Sequence, residues 1–235
     1  LYPSLSSPDP LGDRAIAVTA LSPTYPVREQ EEARELACLI GIKHEIVESN
    51  ELEIPGFAEN PLDRCYHCKK ELFQVVREVA RQYDIKQIAD GSNCDDLTDY
   101  RPGRKAAEEC DVLSPLLDAQ LCKNEIRKLS KEMNLPTADK PAFACLASRF
   151  PYGSHITAEK LKAIDIVENE LRKLGFRQIR VRHHGDIARI EVDQDLIEKG
   201  TDKTVSKKIV QIAKKAGFKY VTLDLEGYRT GSMNI

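Results

Sequence analysis

The chain has 235 residues, of which 41% are hydrophobic and 31% charged, a balance that excludes a fibrous or disordered chain and can bury a core. Lys and Arg number 35 against 38 Asp and Glu, so the formal net charge of −3 excludes a dedicated nucleic-acid coat protein but not a local basic patch. No apolar run reaches the ~20 residues a membrane helix needs, and Leu1-Tyr-Pro-Ser-Leu-Ser lacks the basic and apolar regions of a signal peptide, so the expectation is a soluble cytoplasmic protein.

In chain order, residues 14–20 form a short β-rich run that predicts a buried strand. Residues 29–39 have helical spacing (Ala33, Leu36, Ala37, Ile40) and stop at Gly41. A second strand is predicted over 43–48. A long helix follows over 64–83, with Leu72, Val75, Val76 and Val79 on one side and Asp63 placed to cap it. Residues 86–90 predict a third strand ending at Gly91, and 123–133 a further helix before Pro136. Strand and helix alternating in this way predict a parallel sheet with helices on its faces. From 136 to 153 the period is lost among Pro136, Pro141 and Pro151, which marks a functional loop and a domain boundary. Beyond it, a helix over 157–174, strands over 178–183 and 186–192, a helix over 202–216 and a strand over 219–225 predict a smaller αββαβ unit.

Seven cysteines cannot all pair, and disulfides are rare in the cytosol, so metal binding, sulfur chemistry and plain burial are the readings to weigh. Cys65 and Cys68 lie one turn apart at a helix start, beside Arg64, Lys69 and Lys70. The helix N-terminus and the cations favour thiolate, while the adjoining apolar face equally suits two small core residues. Zinc would want further protein ligands. Cys145 stands in a proline-bounded loop beside Ser148 and Arg149, as a nucleophile, a ligand or a thiol tucked under the loop. Three thiolates from Cys65, Cys68 and Cys145 suit a [4Fe–4S] cluster with one iron open to a non-protein ligand. Cys38 and Cys122 read as core, and Cys94 and Cys110 stay undecided.

Two further motifs carry charge. After strand 86–90, Asp95, Asp96 and Asp99 form either a Mg²⁺ site at a sheet edge or a solvated acidic turn. In the strand over 178–183, Arg180 and Arg182 share one face while Ile179 and Val181 take the other. Two parallel guanidinium groups suit a phosphate, and the competing reading is a solvated strand face. Arg229 joins them only if the C-terminal turn folds back. Glu168 and Glu191 read as exposed glutamates unless they meet near this site.

Asp99-Tyr-Arg-Pro-Gly-Arg-Lys-Ala, Ala144-Cys-Leu-Ala-Ser-Arg-Phe-Pro-Tyr-Gly153, Arg180-Val-Arg-His-His-Gly-Asp-Ile-Ala-Arg-Ile-Glu191 and Tyr220-Val-Thr-Leu-Asp-Leu-Glu-Gly-Tyr-Arg229 resemble the LarE family. These are ATP-dependent sulfur-insertion enzymes of the PP-loop ATP pyrophosphatase superfamily, and the resemblance runs from about Leu11 to Ile235. It implies an α/β fold: a parallel-sheet PP-loop domain (adenine nucleotide alpha hydrolase-like) over 1–140. A smaller α+β substrate and oligomerisation domain would follow over 141–235, including the active-site loop 141–153. The implied activity is adenylylation of a carboxylate of pyridinium-3,5-biscarboxylic acid mononucleotide, with displacement of AMP by sulfur to give a thiocarboxylate for a nickel-pincer cofactor. In one branch of the family the sulfur is a cysteine's own; in the other it is a sulfide on a [4Fe–4S] cluster.

By the same resemblance, Cys65, Cys68 and Cys145 hold the cluster, and Cys145, Ser148 and Arg149 form the catalytic loop. Arg180, Arg182 and Arg229 bind the substrate phosphate, and Glu168 and Glu191 are acidic positions around that site; Asp96, from the acidic turn, is the further acidic site candidate. ATP, Mg²⁺ and a sulfide source would be required, and a homo-oligomer is expected. The superfamily's S-G-G-x-D-S loop, which cradles pyrophosphate with backbone N–H groups, does not occur in the sequence. It is expected to lie N-terminal to Leu11, since strand 14–20 reads as the second of the fold, and Ala20 and Gly91 at strand ends are the remaining ATP candidates. The alternatives are another PP-loop sulfur transferase, such as one acting on tRNA, and a cluster-binding module without ATPase activity.

Overall fold

The computed structural model describes residues 12–97, 102–141 and 143–229. It divides into two units, the first of residues 1–57 and 62–142, the second of residues 58–61 and 143–235. Residues 58–61 join the second unit across a long sequence gap, which no local pattern indicates.

In the first unit, β1 (Ile16–Leu21) leads through α1 (Val27–Ile40) to β2 (Lys43–Glu48). The two strands pair in parallel, Ile16 opposite Lys43 and Leu21 opposite Glu48. Helix α1 ends because Gly41 takes a left-handed conformation (φ 78°), its N–H reaching the carbonyls of Ala37 and Cys38. Helix α2 (Arg64–Gln82) follows, then β3 (Ile88–Ala89), α3 (Pro102–Glu109) and β4 (Val112–Leu113). Strands β3 and β4 pair in parallel, and α4 (Pro115–Asp118) and α5 (Lys123–Glu132) complete the unit. Phe73 of α2 packs on Ala106 and Ala107 of α3, small residues that let the helices approach closely. Among the described residues the sheet is thus two separate parallel pairs. A cavity of 200 Å³ lined by Ile16 and Val18 of β1, Ile88 of β3, and Leu72, Val76 and Val79 of α2 lies between them.

The second unit contains α6 (Ala158–Lys173), β5 (Ile179–His184), β6 (Ile187–Val192), α7 (Ile197–Thr201), α8 (Lys203–Lys215) and β7 (Tyr220–Leu223). Its sheet has the order β5-β6-β7, with β5 antiparallel and β7 parallel to β6. Thr157 caps α6 by accepting from the Lys160 N–H, and Asp202 caps α8 by accepting from Thr204 and Val205. Leu161, Ile164, Val167 and Leu171 of α6 are buried with Ile179, Val181 and Ile190 of the sheet. Their spacing of three and four puts them on one helical stripe.

Several local expectations are corrected. Asp63 occupies the N-cap of α2 but its side chain makes no capping bond; its carboxylate instead lies 3.4 Å from His67 Nε2, one turn on. Cys38 is exposed rather than core, because it falls on the outer side of α1. Cys122 is half-buried at the N-cap of α5. Strand β4 and helices α3, α4 and α7 were not foreseen; each is eight residues or fewer and too short to display a period.

Candidate functional site

The second unit holds a buried network of charge. Arg149 and Glu168 are both 0% exposed. Arg149 Nε donates to Glu168 Oε1 at 2.8 Å and Nη2 to Oε2 at 2.9 Å, a two-pronged pair. Glu168 Oε1 also accepts from the Val181 N–H at 2.9 Å, and Arg172, one turn further along α6, lies 3.5 Å from Oε2. Burial opposes charge on Glu168, but the Arg149 guanidinium and these hydrogen bonds outweigh it and hold the carboxyl below the usual carboxylate range.

Arg149 has a second task. Its Nη1 donates to the carbonyls of Ala144 (2.7 Å) and Cys145 (3.2 Å) and to Ser148 Oγ (3.0 Å). Ser148 Oγ in turn donates to the Cys145 carbonyl at 2.8 Å. The segment Leu146–Arg149 thereby winds into a 3₁₀ turn whose Leu146 and Ala147 are buried. The proline-bounded segment is a tightly held turn, with Cys145 half-buried at its start. Asn60, in a left-handed conformation (φ 57°), closes the far end by donating from Nδ2 to the carbonyl of Pro151 at 2.6 Å.

On β5, Arg180 and Arg182 are each 5% exposed, while Ile179 and Val181 are fully buried. Both faces of the strand are therefore covered, and the solvated-face reading of the arginines is corrected. Arg182 donates from Nε and Nη2 to Glu191 Oε2 at 3.0 and 2.7 Å and from Nη1 to the Ser148 carbonyl at 3.1 Å. Glu191 Oε1 takes Arg189 Nη2 at 3.1 Å. Glu168 and Glu191 are thus not exposed glutamates; each is the buried counter-ion of an arginine. The Arg180 guanidinium lies 5.0 Å from the Tyr228 ring centre and 5.9 Å from that of Phe143. Burial and then the neighbouring Arg149 push its pKa down to about 10, which leaves it cationic at neutral pH.

The C-terminal turn does fold back. The Tyr228 N–H donates to the Val192 carbonyl at 2.7 Å, which brings the Tyr228 ring to Arg180. Arg229 follows directly, but its side chain is half-exposed and pairs with Glu226 at 2.7 Å.

In the first unit, Cys65 is exposed and Cys68 half-buried at the start of α2. Cys68 Sγ donates to Glu51 Oε1 at 3.8 Å, and Ser22 Oγ donates to Glu51 Oε2. Burial raises the Glu51 carboxyl pKa against those bonds. Ala20, Ser22, Glu51, Cys68, Lys69 and Lys140 share a cavity of 380 Å³ beside the C-terminal end of β1. A larger cleft of 1010 Å³ opens where β1 and β2 end, at Ser22 and Ser49. Such strand ends are where ligands settle in parallel α/β sheets. Gly91 follows β3 at the corresponding end of the second pair. Asp96 Oδ2 accepts from the Asn93 N–H and Oδ1 lies 3.6 Å from Lys123 Nζ, while Asp95 Oδ2 accepts from the Lys123 N–H. These two carboxylates order a turn; Asp99 lies outside the described residues.

Among the described residues no three His, Cys, Asp or Glu side chains stand together as a metal site. Cys65, Cys68 and Cys145 are soft thiol donors, and none of them is fully buried. Glu51, Asn60, Phe143 and Tyr228 were missed in the sequence. Only Asn60, before Pro61, had a local turn signal.

Parallel β-α units and a second α+β unit built on buried arginine–glutamate pairs define an α/β chain with an ordered cysteine-bearing turn. No protein-family model matches the chain. It is 35% identical over 96% of its length to the pyridinium-3,5-bisthiocarboxylic acid mononucleotide synthase of Lactiplantibacillus plantarum, covering 82% of that protein. An uncharacterised protein of Synechocystis is 45% identical over 96% of the chain and 84% of its own length. An uncharacterised protein of Methanocaldococcus jannaschii is 35% identical over 76% of the chain and 69% of its own length. The chain belongs to the LarE family.

Proposed function

We propose that the chain is an ATP-dependent sulfur transferase that converts a carboxylate of pyridinium-3,5-biscarboxylic acid mononucleotide into a thiocarboxylate for a nickel-pincer cofactor. The observation that carries this reading is the identity with the bisthiocarboxylic acid mononucleotide synthase, which extends over 96% of the chain and so over both units. ATP, with Mg²⁺, adenylylates the carboxylate and releases pyrophosphate. This turns a poor leaving group into AMP, which sulfur then displaces. The strand-end cavities beside Ala20 and Ser22 suit the nucleotide.

Within the second unit the chemistry asks for fixed cations and a fixed loop. Arg180, buried and cationic between two aromatic rings, supports binding of the substrate phosphate. Arg182 shares its charge with Glu191 and orients the Ser148 carbonyl, and Arg229 offers a surface cation beside Tyr228. Arg149 is a positioning residue: tied to Glu168, it holds the backbone on both sides of the Ala144–Cys145 bond and thereby aims the Cys145 thiol. Cys65, Cys68 and Cys145 would hold a [4Fe–4S] cluster, which when bound supplies sulfide without consuming the protein's own sulfur.

Two measurements test the reading. Incubation with ATP, Mg²⁺, sulfide and the biscarboxylic mononucleotide should yield AMP, pyrophosphate and a product with sulfur in place of one carboxylate oxygen. If AMP forms equally without the mononucleotide, and no sulfur enters the product, the reading fails. Iron and acid-labile sulfide, on protein purified without oxygen, should approach about four each per chain. Cys145→Ala should lose the visible chromophore while the fold survives. Sulfur insertion by iron-free protein, leaving dehydroalanine at residue 145, would instead assign Cys145 as the sulfur donor.

A further inference from the structure

Cys94 and Cys122 lie outside the proposed sulfur-transfer site, yet the fold clamps them together. Cys94 opens the 3₁₀ turn Cys94–Leu97 after β3, and Cys122 is the N-cap residue of α5. The Cys94 N–H donates to the Leu121 carbonyl at 3.1 Å. The next residue pair makes a second rung, the Lys123 N–H donating to Asp95 Oδ2 at 2.7 Å. A third contact sets Lys123 Nζ 3.6 Å from Asp96 Oδ1. The Cys122 N–H is held in turn by Glu125 Oε2 at 2.9 Å. The Cys94–Leu121 bond sets Cys122, the next residue, beside Cys94, and the Cys94 thiol is close enough to add to burial in raising the Cys122 thiol pKa. Both are free and half-buried, so both remain reachable by a small reagent. Two core cysteines would need no such registration of their backbones, and nothing in the sulfur-transfer reading uses them.

We propose that Cys94 and Cys122 form a dithiol site for thiol–disulfide exchange with a low-molecular-weight disulfide, closing to a reversible cross-link between the turn after β3 and the N-terminus of α5. One cysteine thiolate attacks a sulfur of the small disulfide, forming a mixed disulfide and expelling one small thiolate. The second cysteine thiolate attacks the protein sulfur of that mixed disulfide and expels the other. The protein loses two electrons and two protons, and the small disulfide gains both as two thiols. Burial, followed by Cys94 and the carboxylates of Asp95 and Glu125, raises the Cys122 thiol pKa. Exchange is therefore slow at neutral pH and quickens as the pH rises. The cross-link encloses α3, β4 and α4, so the oxidised protein melts above the reduced one.

The test is peptide mapping of the full wild-type chain after incubation with oxidised glutathione and quenching with N-ethylmaleimide. Cys110 and Cys122 fall in one tryptic peptide, residues 106–123, so the bond is placed by fragmentation. The expected product links Cys94 to Cys122, with Cys110 alkylated, and disappears with dithiothreitol. In Cys94→Ser, Cys122 should retain glutathione instead of closing. Both cysteines recovered alkylated in wild type, or each recovered as a stable glutathione adduct, would overturn the proposal. So would Cys122 linked to Cys65, Cys68 or Cys110 as readily as to Cys94. The wild-type map decides these outcomes even if Cys94→Ser fails to fold.

Discussion

At the scale of single residues, the buried arginines of the second unit sit in different surroundings. Arg149 and Arg182 each pair with a buried carboxylate, Glu168 and Glu191, and Arg180 packs near the rings of Tyr228 and Phe143. Removing one partner of a buried pair strands the other charge away from water. Glu168→Gln is therefore expected to cost about 3–5 kcal/mol, read from the denaturant midpoint; a loss under about 1 kcal/mol would mean that Arg149 finds another partner. Glu168 is held below the ordinary carboxylate pKa, so its contribution is complete above that ordinary value, ~4.3, and is lost as pH falls through the folded value. His183 has the same sign at higher pH. Stacked on Phe150 and tilted against Phe218, it is pushed below its usual pKa chiefly by burial. Its contribution is full above ~6.5 and is lost as pH falls through the lowered value. His184 is lowered similarly. Thermal midpoints should fall on acidification below about pH 6.5. His183→Phe should flatten that fall, and an unchanged pH profile in the variant would clear His183 of the effect.

Among the elements, the C-terminal turn after β7 does the most with the least sequence. Gly227 has φ 68°, and a Cβ there would stand 2.9 Å from the Val192 carbonyl that accepts from Tyr228. Gly227→Ala combines a left-handed strain of about 1–3 kcal/mol with that clash. It should displace Tyr228 from Arg180 and weaken mononucleotide binding while ATP binding is kept. Calorimetry of each ligand separates the two; equal loss of both would remove the turn from the substrate site. Replacing Arg180 or Arg182 should give the same split if they grip the substrate phosphate. Strand β5 shows how periodicity can mislead. Alternation correctly placed Arg180 and Arg182 opposite Ile179 and Val181, but it says nothing of what covers the polar face. Here β6 supplies Glu191 and Arg189, the loop supplies Ser148, and the C-terminal turn supplies Tyr228.

For the whole molecule, the division into two units puts residues 58–61 with the second one. The Gly153 N–H donates to the Asn60 carbonyl at 3.0 Å and the Ile156 N–H to that of Ala58 at 2.8 Å. Asn60 itself is fully buried. A fragment of residues 141–235 lacks all of these bonds. It should unfold at lower denaturant than the same unit does within the full chain. Asn60→Ala in the full chain should cost about 1–3 kcal/mol, the penalty for buried carbonyls left without a donor. Unchanged stability of the variant would show that water replaces the amide.

Helix and strand positions were legible because one-dimensional periods report which face of an element is apolar. Predicted strand 43–48 coincides with β2, and the stripe over 157–174 is the buried side of α6. The motifs around Cys145, Arg180 and Glu191 were legible as a family pattern because they are long and ordered. What the linear sequence cannot express is neutralisation across distance. Whether Glu168 is solvated or buried depends on an arginine 19 residues earlier and a strand N–H 13 residues later. Whether Cys94 and Cys122 are core residues or a facing pair depends on a backbone rung to Leu121. Burial multiplies the strength of such pairings and the penalty for missing them, so they are decided only when the tertiary structure removes water from both partners.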